Sequence, residues 1–245
     1  MRQIDVHQHL GPCRVFDLDV EVSQLIDSVQ RTGLDGIVVQ PFPGTDNAKA
    51  QHDAIAAMAT HAPFEVWGIA SVNPHMDADA YRQEVRRCVE ELGFVGVKLH
   101  TIGHAVNPGS RDAAVVFETA RELGIAVMVH TGDGVPFADP AALLGPAKDH
   151  PDLPIVLAHA GGGTFTGAAL AVARECSNIY LEPSWCKTPD IGAMVELLGA
   201  DRVMFGADLP FNVEPEMQKI TALSLAPRDM EAVLSRTAQS VFGLA

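Results

Sequence analysis

Basic residues are scarce in this chain: 17 lysines and arginines stand against 31 aspartates and glutamates, a net charge of −14. Such a surface repels phosphate backbones and excludes the electrostatic footprint of a nucleic-acid binder. Cysteine is sparse too. The four, Cys13, Cys88, Cys176 and Cys186, are scattered with no C-x-x-C pair, which argues against a disulfide framework and a thiolate zinc site. No apolar stretch approaches the roughly 20 residues of a membrane span. The start, Met1-Arg2-Gln3, runs directly into a strand without a signal peptide's apolar segment, so a soluble, cytoplasmic protein is expected. Low-complexity segments and charge blocks are also missing. With 245 residues, 47% of them hydrophobic, the chain suffices for one large core, and a single domain over residues 1–245 is expected.

What the chain does have is a repeating pattern. Apolar runs that read as strands cover Gln3–Val6, Gly36–Gln40, Val66–Val72, Val95–His100, Ala126–His130, Ile155–His159, Asn178–Leu181 and Arg202–Gly206. Most are unbroken rather than alternating, as in parallel strands buried on both faces. Parallel neighbours need crossover helices. Helical spacing lies between the runs, in Val22, Leu25, Ile26 and Val29, in Tyr81, Val85, Cys88, Val89 and Leu92, and in Ala113, Val116, Phe117, Ala120 and Leu123. Gly33, Gly93 and Gly124 each follow such a stretch, where a left-handed residue favours helix termination. Pro227–Phe242, with Pro227 suited to a first turn, reads as a closing helix. Pro41–Gly44, Gly132–Pro136 and Gly161–Gly163 follow strand ends and read as loops of one functional face.

Eight strands alternating with helices leave a closed (β/α)₈ barrel or an open doubly wound sheet. The strand ends decide between them. His7 and His9 are two apart at the end of the first run, so both project to one face while Val6 and Gln8 take the other. His130 ends the fifth run, His159 the sixth, and Asp208 stands just past the eighth. A barrel brings these ends to one mouth, whereas an open sheet keeps its edge strands apart. The expected fold is therefore a single-domain α/β protein, a (β/α)₈ TIM barrel. A lone buried histidine is more often a satisfied core residue than a ligand. Five ligand-type residues on one rim point instead to a metal site.

Ile4-Asp5-Val6-His7-Gln8-His9, Gly96-Val97-Lys98-Leu99-His100, Val129-His130, Ala158-His159-Ala160-Gly161-Gly162 and Phe205-Gly206-Ala207-Asp208-Leu209-Pro210 together resemble the amidohydrolase superfamily. The short chain, the H-A-G-G turn and the F-G-A-D-L-P segment are most similar to its amidohydrolase-related branch, which includes aminocarboxymuconate-semialdehyde decarboxylases and many hydrolases. The resemblance implies that His7, His9 and His130 bind one divalent metal, with Asp208 as carboxylate ligand or near-ligand. It also implies that His159 is the catalytic imidazole. The donor chemistry agrees, since three nitrogens and one oxygen suit Zn²⁺ best and accept Mn²⁺, Fe²⁺ or Ni²⁺. A metal-bound water would have its pKa brought toward about 7, with Asp208 taking its proton and His159 stabilising charge on a substrate oxygen. Lys98 shares the inward face with His100 if Val97 and Leu99 face the helices. It resembles the lysine that binuclear members carboxylate between two metals, but short members commonly carry it unmodified beside one metal, and that reading is favoured.

Rim loops supply substrate contacts in barrels, which makes Arg14, His100, His104, Thr131, Trp185 and Lys187 the positional candidates. Arg14 and Lys187 would suit a substrate carboxylate, and Trp185 could stack on a ring. Cys13 and Cys186 lie in rim loops without a recognised base, so neither reads as a nucleophile. The loops are short, which leaves a shallow pocket or one completed by a second subunit of a homo-oligomer. The closing helix has Thr237-Ala238 where family members often show Asn-Ala. The expected function is metal-dependent hydrolysis of an amide, lactone or ester of a small, carboxylated molecule. The alternative is metal-dependent, non-oxidative decarboxylation of an aromatic or muconate-like acid at the same site. A third reading, a non-catalytic metal or ligand binder, would show four protein ligands closing the ion.

Overall fold

The structure, a computed structural model, describes residues 1–43 and 47–245. Gly44, the last residue of the Pro41–Gly44 piece, lies outside the described residues. The strands are β1 (Ile4–Cys13), β2 (Leu18–Val20), β3 (Gly36–Pro41), β4 (Glu65–Ser71), β5 (Gly96–Leu99), β6 (Ala126–His130), β7 (Ile155–Ala158) and β8 (Ile179–Glu182). They form one curled sheet in the order β2-β1-β3-β4-β5-β6-β7-β8. Every pairing is parallel except that of β1 with β2, a hairpin at the rim that apolar patterning did not announce.

The run expected as a strand at 202–206 is not one. Val203 bridges Leu181 and Asp208 bridges Gln8, so the extended segment 203–208 fills the gap between β8 and β1 through isolated contacts. Its remaining backbone groups have other partners. Val6 N–H donates to the Phe205 carbonyl at 3.0 Å and Asp208 N–H to the His7 carbonyl at 2.7 Å, while Phe205 N–H donates to the Val233 carbonyl at 2.8 Å. Val233 belongs to a π-helical turn, Ala232–Arg236, set between two short α-helical pieces of the expected closing helix. One edge of the segment thus pairs with β1 and part of it with a helix, and a regular ladder cannot form. The barrel is nonetheless present, with seven strands and this segment in its eight positions.

Helices cover the outside, among them α1 (Val22–Thr32), α2 (Ala48–His61), α3 (Ala78–Glu90) and α4 (Arg111–Leu123). Gly33 and Gly124 cap α1 and α4 with φ of 73° and 66°, as the pattern predicts. No helix among the described residues is long and apolar enough to cross a membrane. Val39, Val97, Leu99, Val127, Val129 and their neighbours pack against the helices, which leaves Lys98 facing inward. Ile4, Val6, Val38, Ile69, Met128, Val156 and Met204 fill the barrel interior, closed at the bottom by Val241 and Phe242.

Val6 is therefore on the interior side with Ile4, contrary to its assignment opposite His7. The register of β1 against β3 slips between Asp5 and Gln8, and the irregularity turns Val6 and His7 inward in succession. Asp5 fixes it. Its fully buried carboxylate accepts His7 N–H at 2.9 Å, Gln8 Nε2 at 2.8 Å and Ala207 N–H at 3.2 Å. Burial pushes its pKa up to about 8, against donors that favour the charged form. Replacing Asp5 with Ala leaves three buried donors without their acceptor, each costing about 1 kcal/mol or more. The expected loss is about 3 kcal/mol in urea unfolding, and a change below about 1 kcal/mol would show that the carboxylate is dispensable.

Candidate functional site

The barrel mouth gathers His7 and His9 from β1, Lys98 from β5, His130 from β6, His159 just past β7 and Asp208 from the closing segment. Three donors converge: His7 Nε2, His9 Nε2 and Asp208 Oδ1 are 3.3 Å apart in every pair. Donors bound to one ion at about 2.0–2.2 Å and tetrahedral angles stand about 3.3–3.6 Å apart, so the trio fits a divalent ion. Burial lowers the pKa of both histidines, His7 well below the ordinary value, which keeps them in the neutral, ligating form. Burial opposes ionisation of Asp208, but the imidazoles of His159, His7 and His9 outweigh it and hold the carboxyl well below the usual range. Lys98 Nζ lies 3.1 Å from His7 Nε2, and burial lowers the lysine to about 8.

Glu182, the last residue of β8, orders this mouth from beneath. Its Oε2 accepts from His7 Nδ1 at 2.6 Å, Ser184 Oγ at 3.0 Å and the His159 backbone N–H at 3.3 Å, and its Oε1 accepts from Ser184 N–H at 2.7 Å. Burial pushes Glu182 up in pKa, yet four donors meet its two oxygens. With Nδ1–H committed to Glu182, His7 presents the Nε2 lone pair that a metal requires. Ser184 commits its hydroxyl proton to Glu182, so its oxygen accepts from His159 Nδ1 at 2.8 Å. Burial lowers His159 to about 4, so it is neutral at pH 7 and its Nε2 is an acceptor.

Two backbone features make the arrangement fit. A Cβ at Gly206 would come within 2.7 Å of the Glu182 side chain, so only glycine leaves that carboxylate its place. His159, Ala160, Trp185 and Asp208 have φ of 65°, 42°, 67° and 70°, left-handed values that non-glycine residues rarely adopt. Strain of this kind gathers at functional sites.

The amidohydrolase family profile matches residues 4–244. The chain belongs to the amidohydrolase family. The chain is 24% identical over 271 residues to a γ-resorcylate decarboxylase of Rhodococcus jostii, covering 86% of this chain and 82% of that enzyme. It is 24% identical over 238 residues to a 2-amino-3-carboxymuconate-6-semialdehyde decarboxylase of Dictyostelium discoideum, covering 80% of this chain and 64% of that enzyme, just under two thirds of its length. A crystal structure of a Polaromonas dihydroxybenzoic acid decarboxylase, with bound manganese and 2-nitroresorcinol, has a TM-score of 0.80 at 18% identity over 99% of this chain and 97% of its own. That likeness shows the shared barrel fold. The relatives correct the expectation of amide, lactone or ester hydrolysis in favour of its alternative, because three of them are decarboxylases and a fourth is a hydratase. The donor set misled for a physical reason: histidines and a carboxylate around a metal serve water activation and substrate anchoring alike.

The other expected residues of the amidohydrolase separate into those the mouth includes and those it does not. His130 stands beside the trio but in no group of three close donors among the described residues. Its ring packs edge-on to His159 at 4.8 Å and stacks on His100 at 4.5 Å, and neither of its buried nitrogens has a partner. Trp185 donates Nε1–H to Asp208 Oδ2 at 2.9 Å while 46% exposed, so it touches the site. Thr131 is committed to the fold, donating to the Ala158 carbonyl at 2.8 Å and accepting Gly161 N–H at 3.0 Å. His100 Nδ1 accepts Gly103 N–H at 3.1 Å, and His104 lines a neighbouring cavity. Arg14 and Lys187 lie exposed, in the β1–β2 turn and before the helix Thr188–Leu198. Cys13 is buried, and Cys186 Sγ donates to the His159 carbonyl at 3.1 Å with burial pushing its thiol up to about 11, so neither acts as a nucleophile.

Glu182, Ser184, Asp5 and Gln40, whose Nε2 lies 3.3 Å from His9 Nε2, escaped the sequence reading. The strand assigned to Asn178–Leu181 stops one residue short of Glu182, so the same strand-end logic would have found it. A carboxylate that fixes a ligating imidazole is worth about 10–100-fold in metal affinity. Glu182→Gln should weaken Mn²⁺ binding by that factor in chelator competition without loss of helical circular dichroism, and an unchanged affinity would reject this role.

Proposed function

We propose that this protein catalyses metal-dependent, non-oxidative decarboxylation of a small aromatic or muconate-like acid, with one divalent ion, of which Mn²⁺ is the leading candidate. His7, His9 and Asp208 would hold the ion, with His130 as the further nitrogen beside them. When bound, the ion supplies positive charge that anchors the acid and withdraws electrons from it.

The chain of contacts from Glu182 through Ser184 to His159 Nδ1 is the observation that carries the reading. With the Ser184 hydroxyl donating to Glu182, the 2.8 Å contact is made by an Nδ1–H of His159, and in that tautomer its other nitrogen is an acceptor. Stabilising an oxyanion, as hydrolysis requires, needs a donor there. Decarboxylation of a hydroxylated acid instead needs a partner for the substrate's acidic proton, and a neutral acceptor imidazole provides it. Loss of CO₂ breaks one C–C bond, and its electron pair becomes a new C–H bond once a proton reaches that carbon. Asp208, ionised at rest, takes a proton from solvent and passes it to the carbon, so that one substrate carboxylate and one proton become CO₂ and the new C–H bond. Trp185, bonded to Asp208 Oδ2, keeps that carboxylate oriented and borders the ring.

CO₂ release should appear when the Mn²⁺-loaded protein meets 2,6-dihydroxybenzoate or 5-carboxyvanillate, and should cease on chelation. His9→Ala and Asp208→Ala should each lower the rate by about a thousandfold or more, since a metal ligand and a proton carrier are lost. Decarboxylation that persists in metal-stripped protein, or an aromatic-acid panel that yields no CO₂, would overturn the assignment.

A further inference from the structure

Phe42, Lys49 and the loops after β4 and β5 line a cavity of about 610 Å³, within the range of small-molecule sites. Phe42, Val72 and Met76 give it an apolar wall, and Lys49, Ser71 and His104 a polar one. Two features join it to the barrel mouth. The Phe42 ring stacks on His9 at 4.4 Å. Ser71 is the register partner of Lys98, so both side chains face the barrel interior.

Ser71 Oγ and His104 Nδ1 are buried with no hydrogen-bond partner, in residues 3% and 6% exposed. Buried polar atoms in folded proteins are ordinarily bonded, so two unpartnered ones lining the same cavity point to a ligand that bonds them. A hydroxyl and a neutral imidazole N–H can both donate to an anion's oxygens. Lys49, in the first turn of α2, adds an ammonium to that wall. Glu84 lies on the wall too, but Arg87 holds its oxygens at 2.9 and 2.7 Å and His52 at 2.8 Å, so its charge is already matched.

We propose that this cavity receives the second carboxylate of a dicarboxylic substrate, with Lys49 supplying the opposite charge and Ser71 and His104 the hydrogen bonds. The carboxylate to be lost sits at the donor cluster, and the apolar wall takes the connecting ring or chain. The inference rests on the decarboxylase reading and narrows its substrate class to diacids.

A matched pair of probes tests it by binding alone. 4-Hydroxyisophthalate is salicylate with one added carboxylate, and titration calorimetry with the Mn²⁺-loaded protein measures both affinities. The diacid should bind at least tenfold more tightly, and Lys49→Met, a change at an exposed position, should reduce that advantage to about twofold. Ser71→Ala should reduce it in the same direction. Equal affinities, or an advantage that survives Lys49→Met, would overturn the inference while leaving decarboxylation of monoacids standing. A protein that releases no CO₂ from any acid would overturn the decarboxylase reading, and the two affinities would still decide whether the cavity selects diacids.

Discussion

The buried Asp5 carboxylate holds together two stretches from opposite ends of the polypeptide, and the site depends on that junction. Asp5 bonds the backbone of His7 on one side and of Ala207 on the other. His7 supplies one donor of the trio, and Asp208, next to Ala207, supplies another. Among the described residues the closing segment makes two isolated bridges and two backbone hydrogen bonds to β1 in place of a continuous ladder, so its height against β1 needs further support. Donor sets tolerate displacements of a few tenths of an ångström before coordination suffers. A carboxylate that bonds both backbones directly is the shortest physical link that can meet such a tolerance. It also helps Asp208 keep its left-handed backbone, since the adjoining N–H groups of Ala207 and Asp208 are both engaged, by Asp5 and by the His7 carbonyl.

Charge then supports the proposal that the guest is an acid. With the histidines held neutral by burial and the Asp5 carboxyl protonated at a pKa of about 8, the ionised groups near the trio are Asp208, Glu182 and Lys98, which sum to −1. A divalent ion turns that into +1, which suits one carboxylate in a low-dielectric mouth. A second carboxylate would exceed this local balance and needs a cation of its own, and Lys49 stands on the wall of the adjoining cavity. The protein as a whole carries −14, so these few positive groups set the local field against the general one.

Much of this was legible in the residues. Unbroken apolar runs gave the parallel strands, glycines after Val29 and Ala120 marked helix ends, and histidines at strand ends announced the mouth. What escaped had physical causes. The hairpin strand β2 is three residues long and mostly exposed, so it carries no burial pattern. Helix α2 buries only His52, Ile55 and Met58 among alanines and polar residues, which weakens its periodicity. The slip at Asp5 breaks the alternation that placed Val6 outside, and side-chain hydrogen bonds from a residue two positions away cannot be read from a period of two. Glu182 was missed because the expected strand stopped at Leu181 and its partners lie 23 residues distant in His159 and 175 in His7.

The chemistry was the least legible, and the reason lies in one proton. A sequence reports an imidazole at position 159 but not which ring nitrogen carries hydrogen. That is decided by Ser184, which is decided in turn by Glu182, whose oxygens claim both the backbone and the hydroxyl proton of Ser184. Because the same carboxylate claims Nδ1–H of His7, one residue sets two imidazoles at once, each showing a lone pair at its remaining nitrogen. For His7 that lone pair faces His9 and Asp208, where a cation is wanted. For His159 it removes the donor that an oxyanion would need and leaves an acceptor for an acidic substrate. On the decarboxylase reading proposed above, the hydrogen-bond order of Glu182, Ser184 and His159, more than the residues proposed to hold the metal, would set the choice between adding water to a carbonyl and expelling CO₂.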